Sequence, residues 1–178
     1  MSGNLWFTAD HHFGHANIID FCHRPFASVE DMNEGLIMRW NDRINPGDQV
    51  YVLGDLFWKG GLPIFKRLNG VIHLIEGSHD AEAKRPEIRE HLAEIVWLKT
   101  LKTATFPRSW PITLCHYAMR TWPFSFHGGW HLFGHSHGRL SPYGKSFDVG
   151  VDTHDYYPYH MDEVIETMQS LSDNPTEE

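Results

Sequence analysis

Apolar residues in this chain fall mainly in short dense runs. Runs rich in β-branched and aromatic side chains cover Leu5 to Thr8, Val50 to Leu53, Val71 to Ile75, Ile112 to Cys115 and His131 to Phe133, each with the length and composition of a buried strand. A different period separates the first two. Val29, Met32, Leu36, Ile37 and Trp40 recur at helical spacing behind Ser28, an N-cap type residue with Asp31 three positions on. That pattern predicts a helix ending near Asn45-Pro46-Gly47-Asp48. Shorter helices are expected from Leu62 to Leu68 and from about Pro86 to Leu92, so the first half reads strand, helix, strand, helix, strand. Such an order feeds parallel strands through right-handed crossovers.

After Glu94 the pattern turns strand-rich, with candidates at Ile95 to Leu98, Lys102 to Phe106 and Phe147 to Val151, and then a last helix from Asp162 to about Leu171. The clearest long loop is Trp122-Pro123-Phe124-Ser125-Phe126-His127-Gly128-Gly129, whose aromatics suit a site border or simple packing. These elements predict an α/β fold in one domain spanning 1–171, with 172–178 as a disordered acidic tail.

Composition narrows the class of function. With 23 acidic against 15 basic side chains the formal charge is −8, so no broad basic face is expected to grip a long nucleic-acid duplex. Residues 1–9 lack the charged and apolar regions of a signal peptide, and no run approaches the roughly 18 apolar residues of a membrane span. Two cysteines, Cys22 and Cys115, make no disulfide framework, and a cytoplasmic location is the expectation. The outlier is histidine, with 14 copies spread through the chain, which points to metals or acid/base chemistry.

Their placement is the informative step. Asp10 and His12 follow the first strand, Asp55 the second, Ser78 and His79 the third, His116 the fourth, and His135 and His137 the fifth. Each alone has a bland reading: a turn or cap for Asp10 and Gly54-Asp55, a core histidine for His116. Five strand ends all carrying Asp or His make a stronger joint signal, because the carboxyl ends of strands converge in α/β sheets. Carboxylate and imidazole donors together suit Zn²⁺, Mn²⁺, Fe or Ni²⁺, and the lack of a thiolate cluster argues against structural zinc. Two such ions, roughly 3.5–4 Å apart, can share a carboxylate and a water and make that water a hydroxide nucleophile. Asp55 is the candidate bridge.

Asp10-x-His12, Gly54-Asp55, Gly77-x-His79-Asp80, His116 and Gly134-His135-x-His137 resemble the calcineurin-like metallophosphoesterase superfamily. The flanks Asp10 to Ile19 and His23-Arg24-Pro25-Phe26 resemble its small single-domain members from bacteria and phages. The resemblance implies a metal-bearing β-sandwich flanked by helices, in α/β/β/α layers. It implies one ion held by Asp10, His12, Asp55 and His137, and a second by Asp55, His116 and His135. It also implies His79 beside the phosphate, stabilising charge or protonating the leaving oxygen, with Asp80 orienting it or capping a helix.

The family pattern reads Gly-Asn-His-(Asp/Glu), whereas this chain has Gly77-Ser78-His79-Asp80. Ser78 is shorter than Asn and a poorer neutral ligand, so a weaker second ion, completed by water, is expected. Asp148 and Asp152 are candidates for carboxylates that orient the ligating histidines. Arg24 is a candidate phosphate clamp and His15 a candidate substrate contact. Trp58, Trp122 and Phe124 suit base stacking or core packing, and the aromatic surface suits a dimer interface as well as a pocket rim. The expected activity is hydrolysis of a small phosphodiester, such as a cyclic nucleotide or a nucleic-acid end. The competing expectation is a metal-binding scaffold that lost catalysis with the Asn to Ser change and recognises a phosphorylated ligand or protein.

Overall fold

The computed structural model describes residues 4–102 and 111–173. Two sheets, rich in parallel pairings and flanked by helices, form a mixed α/β architecture of the layered kind expected. In the first sheet β1 (Leu5–Thr8), β2 (Gln49–Val52), β3 (Val71–Ile75) and β4 (Glu94–Val96) run parallel. The second sheet holds β5 (Leu98–Leu101), β6 (Ile112–Cys115), β7 (Trp130–Phe133) and β8 (Ser146–Asp148), with β6, β7 and β8 parallel and β5 antiparallel to β6. β9 (Tyr159–His160) closes the first sheet antiparallel to β1.

Strand alternation explains why the sequence shows unbroken apolar runs. Trp6, Val50, Val52, Ile72 and Leu74 point to one core, while Phe7, Tyr51, Leu53 and Ile75 point to another. The first core is completed by α2 (Val29–Arg43), whose Met32, Leu36, Ile37 and Trp40 are buried and whose start is capped by Ser28 Oγ accepting from Asp31 N–H at 3.1 Å. α1 (Asn17–Phe21) adds Ile18 to the same core. The second core lies between the sheets, where Ile112, Leu114, Trp130, Leu132 and Phe147 meet the first sheet and α5 (Met161–Ser170) adds Met161, Val164 and Met168.

Several boundaries differ from expectation. Ile95 to Leu98 is not one strand: the chain leaves the first sheet after Val96, exposes Trp97 to 57% and enters the second sheet at Leu98. The expected helices at 62–68 and 86–92 shrink to α3 (Gly61–Phe65) and α4 (Pro86–Arg89), each followed by tighter turns such as Leu68 N–H to Phe65 O and Leu92 N–H to Arg89 O. β8 ends at Asp148, because Gly150 bridges to Ala9 and Val151–Thr153 forms a 3₁₀ turn. β9 and α1 were not foreseen. Most of the expected strand at 102–106 and the tail beyond 173 lie outside the described residues. Among the described residues no helix is long and apolar enough to cross a membrane.

The long 122–129 loop packs Trp122 over the sheet, its Nε1–H donating to Gly129 O at 2.9 Å and its ring 5.4 Å from His131, while Phe124 and Phe126 stay exposed.

Trp40 is fully buried and its Nε1–H donates to Asn69 O at 2.8 Å. Trp40→Ala is expected to cost about 3–5 kcal/mol, against about 1 kcal/mol for loss of the Ser28 cap in Ser28→Ala. Urea unfolding of both variants checks the ranking, and a cap loss as large as the core loss would contradict it.

Candidate metal centre

The parallel strands deliver their ligand loops to a common place. Among the residues just beyond β1, β2, β6 and β7, five non-glycine residues occupy the left-handed region of backbone space: Asp10 (φ 60°), His12 (51°), Asp55 (55°), His135 (65°) and His137 (49°). Non-glycine residues seldom go there, at roughly 1–3 kcal/mol each. Backbone hydrogen bonds between loops hold these turns: Asp10 N–H to Gly54 O (3.0 Å), His12 N–H to Asp55 O (2.9 Å) and Gly134 N–H to His116 O (3.0 Å). Gly54, itself at φ +88°, lies where a Cβ would collide with the His116 ring.

Each carboxylate is fixed by one oxygen and presents the other. Asp10 Oδ2 accepts from His135 N–H at 2.8 Å, leaving Oδ1 without a hydrogen bond. Asp55 Oδ1 accepts from His79 N–H at 2.8 Å. Its Oδ2 lies 3.6 Å from His12 Nε2, 3.6 Å from His116 Nε2 and 3.3 Å from Ser78 Oγ, which donates to it. His116 Nδ1 donates to Leu53 O at 2.8 Å, so its Nε2 keeps a free lone pair. His137 Nδ1 meets Asp152 Oδ2 at 2.7 Å, which frees its Nε2 in the same way.

Three groups of donor atoms result among the described residues, one of them Cys22, His137 and Asp152, which lies behind His137, and two at the strand ends. At the strand ends Asp10, His12 and His137 form the first, and Asp55, His116 and His135 the second, with the donor atoms of each group within 4.8 Å of one another. Asp10 Oδ1, His12 Nδ1 and Nε2, and His116 Nε2 are buried polar atoms without hydrogen-bond partners. A buried polar atom left unpaired costs roughly 1–3 kcal/mol, and so many at one spot fit divalent cations as their missing partners. Oxygen and imidazole donors suit Mn²⁺, Zn²⁺, Fe or Ni²⁺.

The electrostatics agree with that fit. Burial, helped by Asp148 and Asp55, raises the Asp10 carboxyl well above the usual range against the lowering pull of His137. Burial pushes His12 down to about 2, reinforced by His137 and Arg24, and lowers His116 as well. Both imidazoles are therefore neutral, the form that ligates. At His137 burial also lowers, but hydrogen bonds to Asp152 and Cys22 and the charges of Asp10 and Asp152 outweigh it and raise the ring to about 10.

The remaining expected residues have distinct placements. Arg24, the candidate phosphate clamp, has a side chain that is 0% exposed and a guanidinium engaged within the protein. Nε and Nη2 donate to the two Asp152 oxygens at 2.8 Å each, and Nη2 and Nη1 also donate to Asp10 O (2.7 Å) and His11 O (3.0 Å). It braces the Asp10 loop and the carboxylate behind His137. Asp80 does not orient His79 through its side chain. It accepts from Asp55 N–H, Leu56 N–H and Gly77 N–H at 2.9, 2.9 and 2.7 Å, tying the β2 and β3 loops together. Asp148 likewise holds loops, accepting from Gly138 N–H at 3.0 Å and Gly150 N–H at 2.7 Å. His15 stacks on Trp58 at the rim, and Ser78 and His79 are exposed on the turn after β3. His11 is a core histidine, packed on Phe13 and Trp40. The Arg24–Asp152 partnership was missed because its members lie 128 residues apart and nothing local marks them.

No family model matches the chain. It is similar to the uncharacterized protein MJ1445 of Methanocaldococcus jannaschii, 30% identical over 177 residues that cover 93% of this chain and 91% of that protein, and it belongs to the same family. It is also similar to the Gene 66 protein of Mycobacterium phage D29, at 26% identity over 96% of this chain and 98% of that one. Among solved structures it resembles the protein of unknown function AQ665 from Aquifex aeolicus, with a TM-score of 0.72, 22% identity, and coverage of 93% of this chain and 99% of that one. That likeness establishes the shared fold.

Because Asp152 fixes His137 and Arg24 fixes Asp152, Asp152→Ala is expected to weaken divalent-metal binding about 10–100-fold. Arg24→Met should act in the same direction. Calorimetric titration with Mn²⁺ checks this; unchanged affinity in both variants would refute the brace.

Proposed function

We propose that this chain hydrolyses phosphate esters, phosphodiesters in particular, with two divalent ions held by Asp10, His12, Asp55, His116, His135 and His137. The observation that carries the reading is the position of Asp55 Oδ2, 3.6 Å from an imidazole nitrogen of each strand-end donor group. One carboxylate thus faces both groups, as a bridging ligand must. The ions would supply Lewis acidity and lower the pKa of water. Overall, water adds to phosphorus, the ester P–O bond breaks, and the departing oxygen takes a proton.

The protein's own groups divide the remaining work. The ligands at the floor are buried while Ser78, His79 and His135 are exposed, so the centre opens on one side and the phosphate enters there. His79, with its backbone tied to Asp55, is set to hold a proton at a ring nitrogen and pass it to the leaving oxygen. The His12 ring lies 5.6 Å from that of His79 and 5.4 Å from that of His15 on the same rim. The acidic balance favours a small substrate, with nucleotides in the accessible class, over a long duplex.

One observation favours a second reading. The Ser78 hydroxyl, 3.3 Å from Asp55 Oδ2 and donating to it, stands where the resembled family has the longer Asn amide, so the second donor group has only a short, weakly ligating neutral oxygen at that position. A weakly held second ion would leave a scaffold that binds phosphorylated ligands without turnover.

Purified protein assayed on bis(4-nitrophenyl) phosphate separates the two. Turnover stimulated by Mn²⁺, Ni²⁺ or Zn²⁺ is expected, and none with any of the three would sink the esterase reading. Asp55→Ala should abolish it together with binding of both ions. Ser78→Asn should tighten the weaker ion in a metal titration; an unchanged isotherm would show that Ser78 does not stand at an ion's edge.

A further inference from the structure

Two partly exposed aromatic rings border the candidate centre, one on the side of each strand-end donor group. Trp58, 37% exposed, stacks on His15 with centroids 4.2 Å apart and planes at 12°, and meets His79 edge-on at 4.9 Å. Tyr117, also 37% exposed, packs edge-on against His116 at 4.8 Å and His135 at 4.9 Å. Neither ring belongs to a buried core cluster. The backbone nevertheless fixes both: Trp58 N–H donates to Phe13 O at 2.9 Å, and the Tyr117 carbonyl lies 3.2 Å from the buried His131 Nε2. His15 and His79 adjoin His12 of the first donor group, and Tyr117 adjoins the second. Ser78, His79 and His135 are exposed at this end of the sheets, His79 against Trp58 and His135 against Tyr117.

We propose that Trp58 and Tyr117 determine specificity by bracketing the reacting phosphorus, so that the preferred substrate is a phosphodiester carrying a flat, nucleobase-like group on each side. The proposal rests on the phosphoesterase reading and deepens it. A ring held against imidazoles with more than a third of its surface in water, as the 37% exposure of each gives, offers a stacking platform, and stacking accepts any base. A monoester has one organic group and would leave one ring unused. A duplex keeps its bases stacked on one another and brings many phosphates to a chain of net charge −8. A short single-stranded or dinucleotide-like diester meets both requirements.

The test compares Mn²⁺-loaded wild type with Trp58→Ala, Tyr117→Ala, their double variant, and Trp58→Phe and Tyr117→Phe. Substrates are bis(4-nitrophenyl) phosphate and methyl 4-nitrophenyl phosphate, and adenosine monophosphate and inorganic phosphate serve as competing ligands. Each alanine variant should raise KM for the bis-aryl diester about tenfold, with a smaller effect on the methyl diester and recovery in the phenylalanine variants. The double variant should bind adenosine monophosphate about tenfold more weakly or worse and inorganic phosphate as wild type does. A loss confined to kcat would overturn the proposal, since the rings would then only hold His15, His79 and His135 in place. Equal adenosine monophosphate affinity in wild type and double variant, measured by equilibrium dialysis, would also overturn it. That second readout needs no turnover: absent hydrolysis contradicts the esterase reading, and the dialysis result judges the rings.

Discussion

A buried set of carboxylate and imidazole atoms without partners of their own is the constraint on which this end of the molecule depends. His12 Nε2 and His116 Nε2 each lie 3.6 Å from Asp55 Oδ2, too long for a hydrogen bond and short enough to share cations, and Asp10 Oδ1 is likewise buried without a hydrogen-bond partner. Left alone, such a pocket is costly, because buried polar atoms lose water and gain nothing in return. The raised Asp10 carboxyl and the lowered His12 ring express that cost as displaced protonation. Divalent ions would relieve both at once.

Keeping the pocket assembled requires braces on each side. Asp80 collects three backbone N–H groups from the β2 and β3 loops, while Arg24 links Asp152 to the carbonyls of Asp10 and His11. The Arg24–Asp152 pair is itself buried, so removing either partner would strand a charge as well as free His137. Strained turns at five positions then follow: they aim side chains inward at a cost the interlocking loops absorb. The two apolar cores, one under α2 and one between the sheets, supply the rigidity behind those loops.

How much of this could be read in the sequence depends on how local the cause is. β1, β2, β3, β6 and β7 were legible because strands buried on both faces spell continuous apolar runs. The donor residues were legible because each sits within a few residues past such a run. Ile95 to Leu98 was misread as one strand because apolar continuity hides the change of sheet at Trp97. β9 was invisible, being two residues whose strand character comes from pairing with Trp6 and Phe7. Arg24 was assigned to the substrate because arginine near a phosphate site suggests it; only the fold brings Asp152 to its guanidinium.

Anomalous diffraction from crystals grown with Mn²⁺ tests the central claim most directly. The account predicts two peaks per chain, one against Asp10, His12 and His137, the other against His116 and His135, with Asp55 Oδ2 bonded to both. A single peak, or two peaks that do not share Asp55, would contradict it.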